Sequence, residues 1–205
     1  MSISENVAKI LLKEQAVFLN LNDPFTWTSG IKSPVYCDNR ILISNVQARD
    51  YIVQCYVDKI KSLEINVIAG TATAGIPWAS WIAHELKLPL IYVRSSNKDH
   101  GRQNAIEGKV HAGYKAVLIE DLISTGKSSI IAAKKLEEVS VKVDLIISIF
   151  SYQFPDAQEN FNSQHLTNDS LCYFDDLAKV AHDHKMLNTE ELNHVLTWRK
   201  SVTFP

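Results

Sequence analysis

The chain has 205 residues, a hydrophobic fraction of 46% and a formal net charge of −2. This length predicts one domain with a substantial core, and the near-neutral charge gives no reason to expect nucleic acid or an anionic membrane as a partner. No apolar run reaches the roughly 18 residues of a membrane span. The three cysteines are scattered, which argues against a disulfide framework or a zinc site, so we expect a cytoplasmic protein with reduced thiols.

The first third of the chain predicts two helices separated by an extended, aromatic segment. "SENVAKILLKEQAVF" has helical spacing of apolar residues with Ser4 as the expected cap, and "NVQARDYIVQCYVDKIKSL" predicts a helix capped by Asn45. "FTWTSGIKSPVYCDNR" (25–40) lies between them. This segment could line a pocket for a flat ring, or Phe25 and Trp27 could pack on a sheet; their spacing does not decide between the two.

From residue 66 the pattern changes to alternating strands and helices. "NVIAG", "LPLIYVR", "KAVLIE" and "VDLIISIFSY" predict strands, whereas "GIPWASWIAHELK" and "GKSSIIAAKKLEEV" predict helices. A mixed segment from about residue 155 ends in a helix, "TEELNHVLTWRK", with Thr189 as the expected cap. Short apolar strands that alternate with helices predict an α/β fold with a mostly parallel sheet covered on both faces.

Three polar loops follow three of these strands. They are "GTATAGIP" (70–77), "RSSNKDHGRQNAIEG" (94–108) and "EDLISTGKSS" (120–129). Because the carboxyl ends of parallel strands lie at one edge of the sheet, we expect the loops to converge there, where open α/β sheets bind ligands.

The third loop, within "VLIEDLISTGKSS", ends in G-K-S as a nucleotide-triphosphate P-loop does. A P-loop needs a glycine five positions before Gly126, and the chain has Asp121 there, next to Glu120. A carboxylate at that position would repel a polyphosphate. A P-loop is therefore excluded, although the free N–H groups and the positive dipole end of the following helix still suit one phosphate monoester.

The two acids favour a partner rich in hydroxyl groups, or a hydrated magnesium ion. Together with the small turn formed by Ser124, Thr125 and Gly126, they predict a site for a ribose 5-phosphate. Gly126 is expected to leave the space that the phosphate needs. The alternative is an ordinary strand-to-helix turn with surface acids.

The other two loops are open to more than one interpretation. "GTATAGIP" could bring backbone N–H groups close to an anion, or it could be a plain tight turn. The long polar loop could be a solvated excursion, but a lid that brings cations onto a polyphosphate and excludes water is the favoured hypothesis. Its cations are Arg94, Lys98, His100 and Arg102.

With these motifs the sequence resembles the type I phosphoribosyltransferases, and among them the orotate phosphoribosyltransferases of Gram-positive type. "VLIEDLISTGKSS" resembles the phosphoribosyl-pyrophosphate motif of the fold class, "IAGTATAGI" the pyrophosphate loop, "YVRSSNKDHG" the mobile catalytic loop and "FTWTSGIKSPVYCDNR" the orotate-side segment. The resemblance implies a single domain over residues 1–205, in which about residues 1–45 and the C-terminal segment form a hood over the site. It also implies a homodimer with shared active sites and Mg²⁺ as the cofactor.

The resemblance also implies roles for individual residues. The expected catalytic residues are Lys98, His100, Glu120 and Asp121. The expected phosphoribosyl-pyrophosphate contacts are Arg94, Lys98, His100, Glu120, Asp121, Leu122, Ile123, Ser124, Thr125, Gly126, Lys127 and Ser128. Ser124 is also expected to contact orotate, and Thr71, Ala72 and Thr73 are expected to form the pyrophosphate loop. The magnesium ion is expected to be held mainly by the substrate.

The chain departs from the family pattern at three places. Ala74 and Ser95 stand where other members carry lysines, and "SIFSYQFPDAQ" has no arginine after the last core strand. We therefore expect the pyrophosphate to depend more on the lid cations and on magnesium. Two alternative functions remain: a purine phosphoribosyltransferase, and a regulator that binds phosphoribosyl pyrophosphate without turnover.

Overall fold

The computed structural model of the protein describes residues 2–27, 30–94 and 105–204. In these residues the helices are α1 (Ile3–Lys13), α2 (Val46–Ile60), α3 (Gly75–Leu86), α4 (Lys127–Glu137), α5 (Pro155–Ser163), α6 (Phe174–Asp183) and α7 (Thr189–Ser201), with a 3₁₀ helix at Asn39–Ser44. The strands are β1 (Val17–Leu19), β2 (Phe25–Thr26), β3 (Lys32–Ser33), β4 (Val35–Cys37), β5 (Val67–Thr71), β6 (Leu90–Val93), β7 (Ile106–Glu107), β8 (Lys115–Ile123), β9 (Lys142–Ser151) and β10 (Asn168–Tyr173).

A six-stranded sheet in the order β10-β9-β8-β5-β6-β7 forms the centre of the fold. Its neighbouring strands are parallel, except that β7 runs antiparallel to β6. This confirms the predicted α/β fold with a mostly parallel sheet. The sequence analysis missed both edge strands, because β7 has only two residues and β10 begins with the polar residues of "NDSLCY".

The two faces of the sheet bury different side chains of the same strand. In the middle of β8, Val117 and Ile119 pack in the core with α1, α2, α3 and α6, whereas Ala116 and Leu118 pack in the core with α4 and α5. Successive side chains of a strand point to opposite faces, so a continuous apolar run is what a sheet covered on both faces requires.

Two of the predicted helix caps were wrong by one or two positions. Ser2 rather than Ser4 caps α1, and Asn188 rather than Thr189 caps α7. In each case a glutamate three residues after the cap accepts a hydrogen bond from the backbone N–H of the cap, which completes a capping box. Asn45 caps α2 as predicted.

The N-terminal hairpin of β2 and β3 is attached to the C-terminal end of the chain by aromatic packing. The Trp27 ring contacts the rings of Tyr152, Phe154, Trp198 and Phe204, with centroid distances between 5.1 and 6.3 Å. Trp27 therefore packs on other aromatic side chains that follow β9 or lie near the end of the chain, and not on the strands of the sheet. Among the described residues, no helix has the length and apolar character to cross a bilayer.

Candidate active site

The acid pair lies in an extension of β8 that has only one neighbouring strand. The predicted strand ended at Glu120, but β8 continues to Ile123. The pairing with β5 ends at Ile119, opposite Gly70, whereas the pairing with β9 continues to Ile123. The last residues of β8 therefore have an open side at the carboxyl edge of the sheet.

Glu120 is 5% exposed and is held by hydrogen bonds on both carboxylate oxygens. Its Oε2 accepts hydrogen bonds from the hydroxyls of Ser129 and Ser128, at 3.2 and 3.4 Å, and its Oε1 accepts one from the backbone N–H of Asp121 at 3.2 Å. Burial, together with the neighbouring Asp121 carboxylate, raises the pKa of Glu120 to about 8, and burial also raises the pKa of Asp121. A buried carboxyl next to a partly buried one holds a proton near neutral pH, and the pair attracts cations or hydroxyl donors.

The turn after β8 leads directly into α4, as the sequence predicted. Gly126 is the N-cap of α4 with a φ of +76°, and this helix has no side-chain cap. The N–H groups of the first turn are therefore directed toward the loop without a capping oxygen, which is the arrangement that binds a phosphate group. Lys127 and Ser128, the first two residues of α4, are exposed beside it.

Helix α5 supports this turn from below. The Asn160 Nδ2 donates a hydrogen bond to the carbonyl of Thr125 at 3.0 Å. A Cβ atom at Gly126 would lie 2.7 Å from two ring carbons of Phe161. The expectation that Gly126 leaves space for the phosphate was wrong, because the space beside its Cα is filled by Phe161. Glycine is required there by this contact and by the positive φ.

The predicted pyrophosphate loop lies against the strand that carries the acids. A Cβ atom at Gly75 would lie 2.4 Å from the carbonyl oxygen of Ile119, so glycine permits this close approach. Thr71 is 5% exposed, and among the described residues its Oγ1 has no hydrogen-bond partner. The Ala72–Thr73 peptide is cis, and Thr73 is exposed.

The base of the polar loop is closed by pairing between its two ends. The backbone N–H of Arg94 donates to the carbonyl of Ala105 at 2.8 Å, next to the β6–β7 pairing, and Lys135 on α4 donates to the carbonyl of Arg94 at 2.9 Å. The Arg94 side chain lies 3.9 Å from the Glu107 carboxylate. Lys98, His100 and Arg102, whose roles were predicted from the sequence, lie outside the described residues.

The remaining predicted contacts divide between exposed and buried positions. Ser124 and Thr125 are half-buried at the turn, and Leu122 is partly buried against the core on the α1 side. The side chain of Ile123 lies in the core beneath α4 and α5. Ile123 can therefore reach a ligand only through its backbone, and its carbonyl already accepts a hydrogen bond from the N–H of Tyr152.

The sequence analysis missed four residues that hold this site together. Asn39 and Tyr56 donate hydrogen bonds to the backbone of the acid pair. Asn160 and Phe161 support the turn of residues 124–126, which we call the phosphate turn after its predicted ligand. Asn39 lies in the 25–40 segment, which was considered only as a pocket for a ring, and the other three lie outside the three polar loops. The segment "CDNR", with two polar residues beside a buried cysteine, was the one local signal for Asn39.

Two acids and an uncapped helix N-terminus at the carboxyl edge of a parallel sheet are the arrangement expected of an enzyme that acts on a sugar phosphate. The family profile described as "Phosphoribosyl transferase domain" matches residues 40–165. The orotate phosphoribosyltransferase of Coxiella burnetii is 46% identical over 98% of this chain and 97% of that relative. The chain therefore belongs to the phosphoribosyltransferases and, within them, to the orotate phosphoribosyltransferase family.

Two solved structures resemble the fold. The orotate phosphoribosyltransferase of Aeropyrum pernix aligns with a TM-score of 0.75 and 25% identity, covering 89% of this chain and 99% of that one. The UMP synthase of Leishmania donovani aligns with a TM-score of 0.81 and 25% identity. The alignment with that longer protein covers 96% of this chain and 42% of the UMP synthase.

Proposed function

We propose that the carboxyl edge of β8 is the phosphoribosyl-pyrophosphate site of this orotate phosphoribosyltransferase. The reaction transfers ribose 5-phosphate to orotate and gives orotidine 5-monophosphate and pyrophosphate, a step of pyrimidine synthesis. The observation that carries the proposal is an acid pair, with Glu120 buried and Asp121 partly buried, followed closely by an uncapped helix N-terminus. The acid pair and the helix N-terminus lie close together in the chain. The hydroxyl groups and the phosphate group lie close together in the same way on one ribose 5-phosphate molecule.

In this proposal the acid pair binds the sugar and the turn binds its phosphate. Glu120 and Asp121 accept hydrogen bonds from the ribose 2- and 3-hydroxyls, and residues 124–128 bind the 5-phosphate through backbone N–H groups and hydroxyls. As the bond from carbon 1 to pyrophosphate breaks and a ring nitrogen of orotate forms the new bond, positive charge develops on the sugar. Carboxylates beside the ring stabilise that charge.

The pyrophosphate end combines the loop at 71–73 with the cations of the polar loop. The unpaired Thr71 hydroxyl supports this assignment, because a buried hydroxyl without a partner among the described residues is suited to accept or donate to a ligand. Arg94, Lys98, His100 and Arg102 neutralise the leaving group in the proposal. Ala74 and Ser95 supply no charge there, which increases the dependence on the other cations.

Magnesium is the proposed cofactor, and the acid pair is compatible with it. Two carboxylates provide the hard oxygen ligands that Mg²⁺ prefers. Among the described residues there is no cluster of three or more His, Cys, Asp or Glu side chains suited to hold a metal. In the proposal the ion binds together with the pyrophosphate, whose charge it neutralises.

The activity can be tested directly by spectrophotometry. We expect the purified protein to consume orotate in the presence of phosphoribosyl pyrophosphate and Mg²⁺. Adenine, hypoxanthine and guanine in place of orotate serve as controls for a purine-specific enzyme. Consumption of a purine but not of orotate would contradict the proposal, and binding of phosphoribosyl pyrophosphate without turnover of any base would favour the regulator.

The resemblance also supports a cytoplasmic homodimer in which each lid serves the site of the partner subunit, with residues 1–45 and the C-terminal segment as a hood. The packing of Trp27 on the C-terminal residues supports the hood, because it joins the two segments beside β9.

The shared site can be tested by mixing Lys98→Ala with Asp121→Asn. Subunit exchange should then restore activity in the sites that carry neither change. Verified exchange without recovery would show that each lid acts in its own subunit.

A further inference from the structure

The acid pair is held through its backbone by two side chains that lie outside the sheet. After Ile119, β8 has no β5 neighbour to bond with. The carbonyl of Glu120 accepts a hydrogen bond from the Tyr56 hydroxyl at 2.9 Å, and the carbonyl of Asp121 accepts one from the Asn39 Nδ2 at 2.7 Å. Two consecutive peptide groups are thus fixed at the part of the strand that lacks a second neighbour.

Both donors are buried in positions that allow them no alternative partner in solvent. Tyr56 on α2 is 0% exposed, and Asn39 at the start of the 3₁₀ helix is 1% exposed. The Oδ1 of Asn39 accepts a hydrogen bond from the Cys37 thiol at 3.3 Å. The amide is therefore oriented at both ends, with its Nδ2 toward Asp121, and both of its polar atoms are used within the protein.

We propose that Asn39 and Tyr56 are positioning residues for the transfer reaction. They fix the backbone of the strand end so that the two carboxylates meet the ribose hydroxyls in one geometry. This inference rests on the proposed role of the acid pair. Errors of about 1 Å in the placement of a catalytic group can cost on the order of 100-fold in rate, so a strand end with one neighbour benefits from such anchors.

A double-mutant cycle between Asn39→Ala and Asp121→Asn tests the inference. If Asn39 acts through Asp121, Asn39→Ala should lower kcat/KM by about 10- to 100-fold in the wild-type background. In the Asp121→Asn background the same change should cost no more than about twofold, because the group that it positions is already disabled. A radiolabelled-orotate assay gives the sensitivity that the second background requires.

Asn66→Ala is the matched control. Asn66 also bonds the backbone of β8, since its Oδ1 accepts a hydrogen bond from the N–H of Lys115 at 2.8 Å, but it does so at the opposite end of the strand. We expect kcat/KM of this variant to stay within about twofold of the wild type, because surface changes far from a site have small effects. Thermal unfolding of every variant shows whether it folds.

Tyr56→Phe provides a second route if Asn39→Ala does not fold. Phenylalanine keeps the buried ring and removes only the hydroxyl, and the matching cycle uses Glu120→Gln. Equal losses in both backgrounds of either cycle would show that the side chain only supports the fold, and would overturn the inference. Wild-type turnover in Asp121→Asn alone would instead refute the role of the acid pair, and the positioning role would fall with it.

Discussion

The two halves of strand β8 differ in their neighbouring strands and in their proposed roles. Residues 115–119 lie between β5 and β9, and positions 116–119 are fully buried and apolar. Residues 120–123 have β9 alone beside them and carry the acid pair. The loss of one neighbouring strand frees one side of the strand end while the other side stays fixed by β9, and this is the edge at which we propose that the sugar phosphate binds.

Among the changes proposed below, removal of the two carboxylates in residues 120–123 of β8 should have the largest effect. In the double variant Glu120→Gln/Asp121→Asn, we expect turnover to fall by about 1,000-fold, because the developing charge on the sugar loses its counter-charge. The melting temperature should change little, since amides fit the same space. Orotate consumption and calorimetry measure the two quantities.

Asp144→Asn is the control for that double variant. Asp144 lies near the amino end of β9 and pairs with Lys142, so it is a strand acid outside the proposed site. Its loss should leave turnover unchanged. If the double variant at positions 120 and 121 also retained wild-type turnover, the carboxyl half of β8 would not be a catalytic edge.

The half of β8 that lies between β5 and β9 should respond in the opposite way: a change there should lower stability and leave turnover unchanged. Leu118→Ala removes a fully buried side chain from the core beneath α4 and α5, and we expect the free energy of unfolding to fall by about 3 kcal/mol. Turnover per folded molecule should remain near the wild-type value. Urea unfolding and an active-site titration separate the two effects, and a large loss of turnover in fully folded protein would break the comparison.

A change at Gly126 tests whether the phosphate turn depends on α5. Gly126→Ala should destabilise the protein by about 2 kcal/mol, because alanine at positive φ is strained and its Cβ meets Phe161. The double variant Gly126→Ala/Phe161→Ala removes the contact but keeps the positive φ. If the two changes were additive in urea unfolding, Phe161 would not be the group that Gly126 accommodates.

A further expected effect is a pH dependence of stability that arises from Glu120. Its pKa is raised to about 8 in the folded protein from an ordinary value of 4.5, so between these values the folded state holds a proton that the unfolded state releases. Stability should therefore decrease as the pH rises from about 5 to 8. Glu120→Gln cannot ionise, so its melting temperature should fall less over this range in calorimetric scans. If the melting temperatures of the wild type and of Glu120→Gln changed equally with pH, the proton would be held by a group other than Glu120.

The sequence predicted the sheet and the position of the phosphate turn because both depend on local patterns. Apolar runs such as those around Val117 and Ile147 identify buried strands, and an acid pair followed by a small turn identifies the edge. The local pattern could not show where β8 ends, since two acids interrupt the apolar run and the residues after them are held as a strand by pairing with β9.

The supports of the site were beyond prediction for a different reason. Asn39 and Asp121 are 82 positions apart in the chain, and Asn160 and Thr125 are 35 apart. A polar residue that bonds a distant backbone group has no periodicity and no fixed spacing. The role of Gly126 was misread for the same reason, because Phe161 becomes its neighbour only when α5 packs on the sheet.

The attachment of the first residues to the last has a consequence for synthesis on the ribosome. Ser4 donates a hydrogen bond to Asp176, and Trp27 packs against Phe204. Because a chain emerges from its N-terminus, α1 and the β2–β3 hairpin must wait for these partners until residues 176–204 have been translated. Such long-range contacts slow folding. We therefore expect nascent chains that are stalled before α6 to leave this apolar surface exposed, where chaperones can bind it.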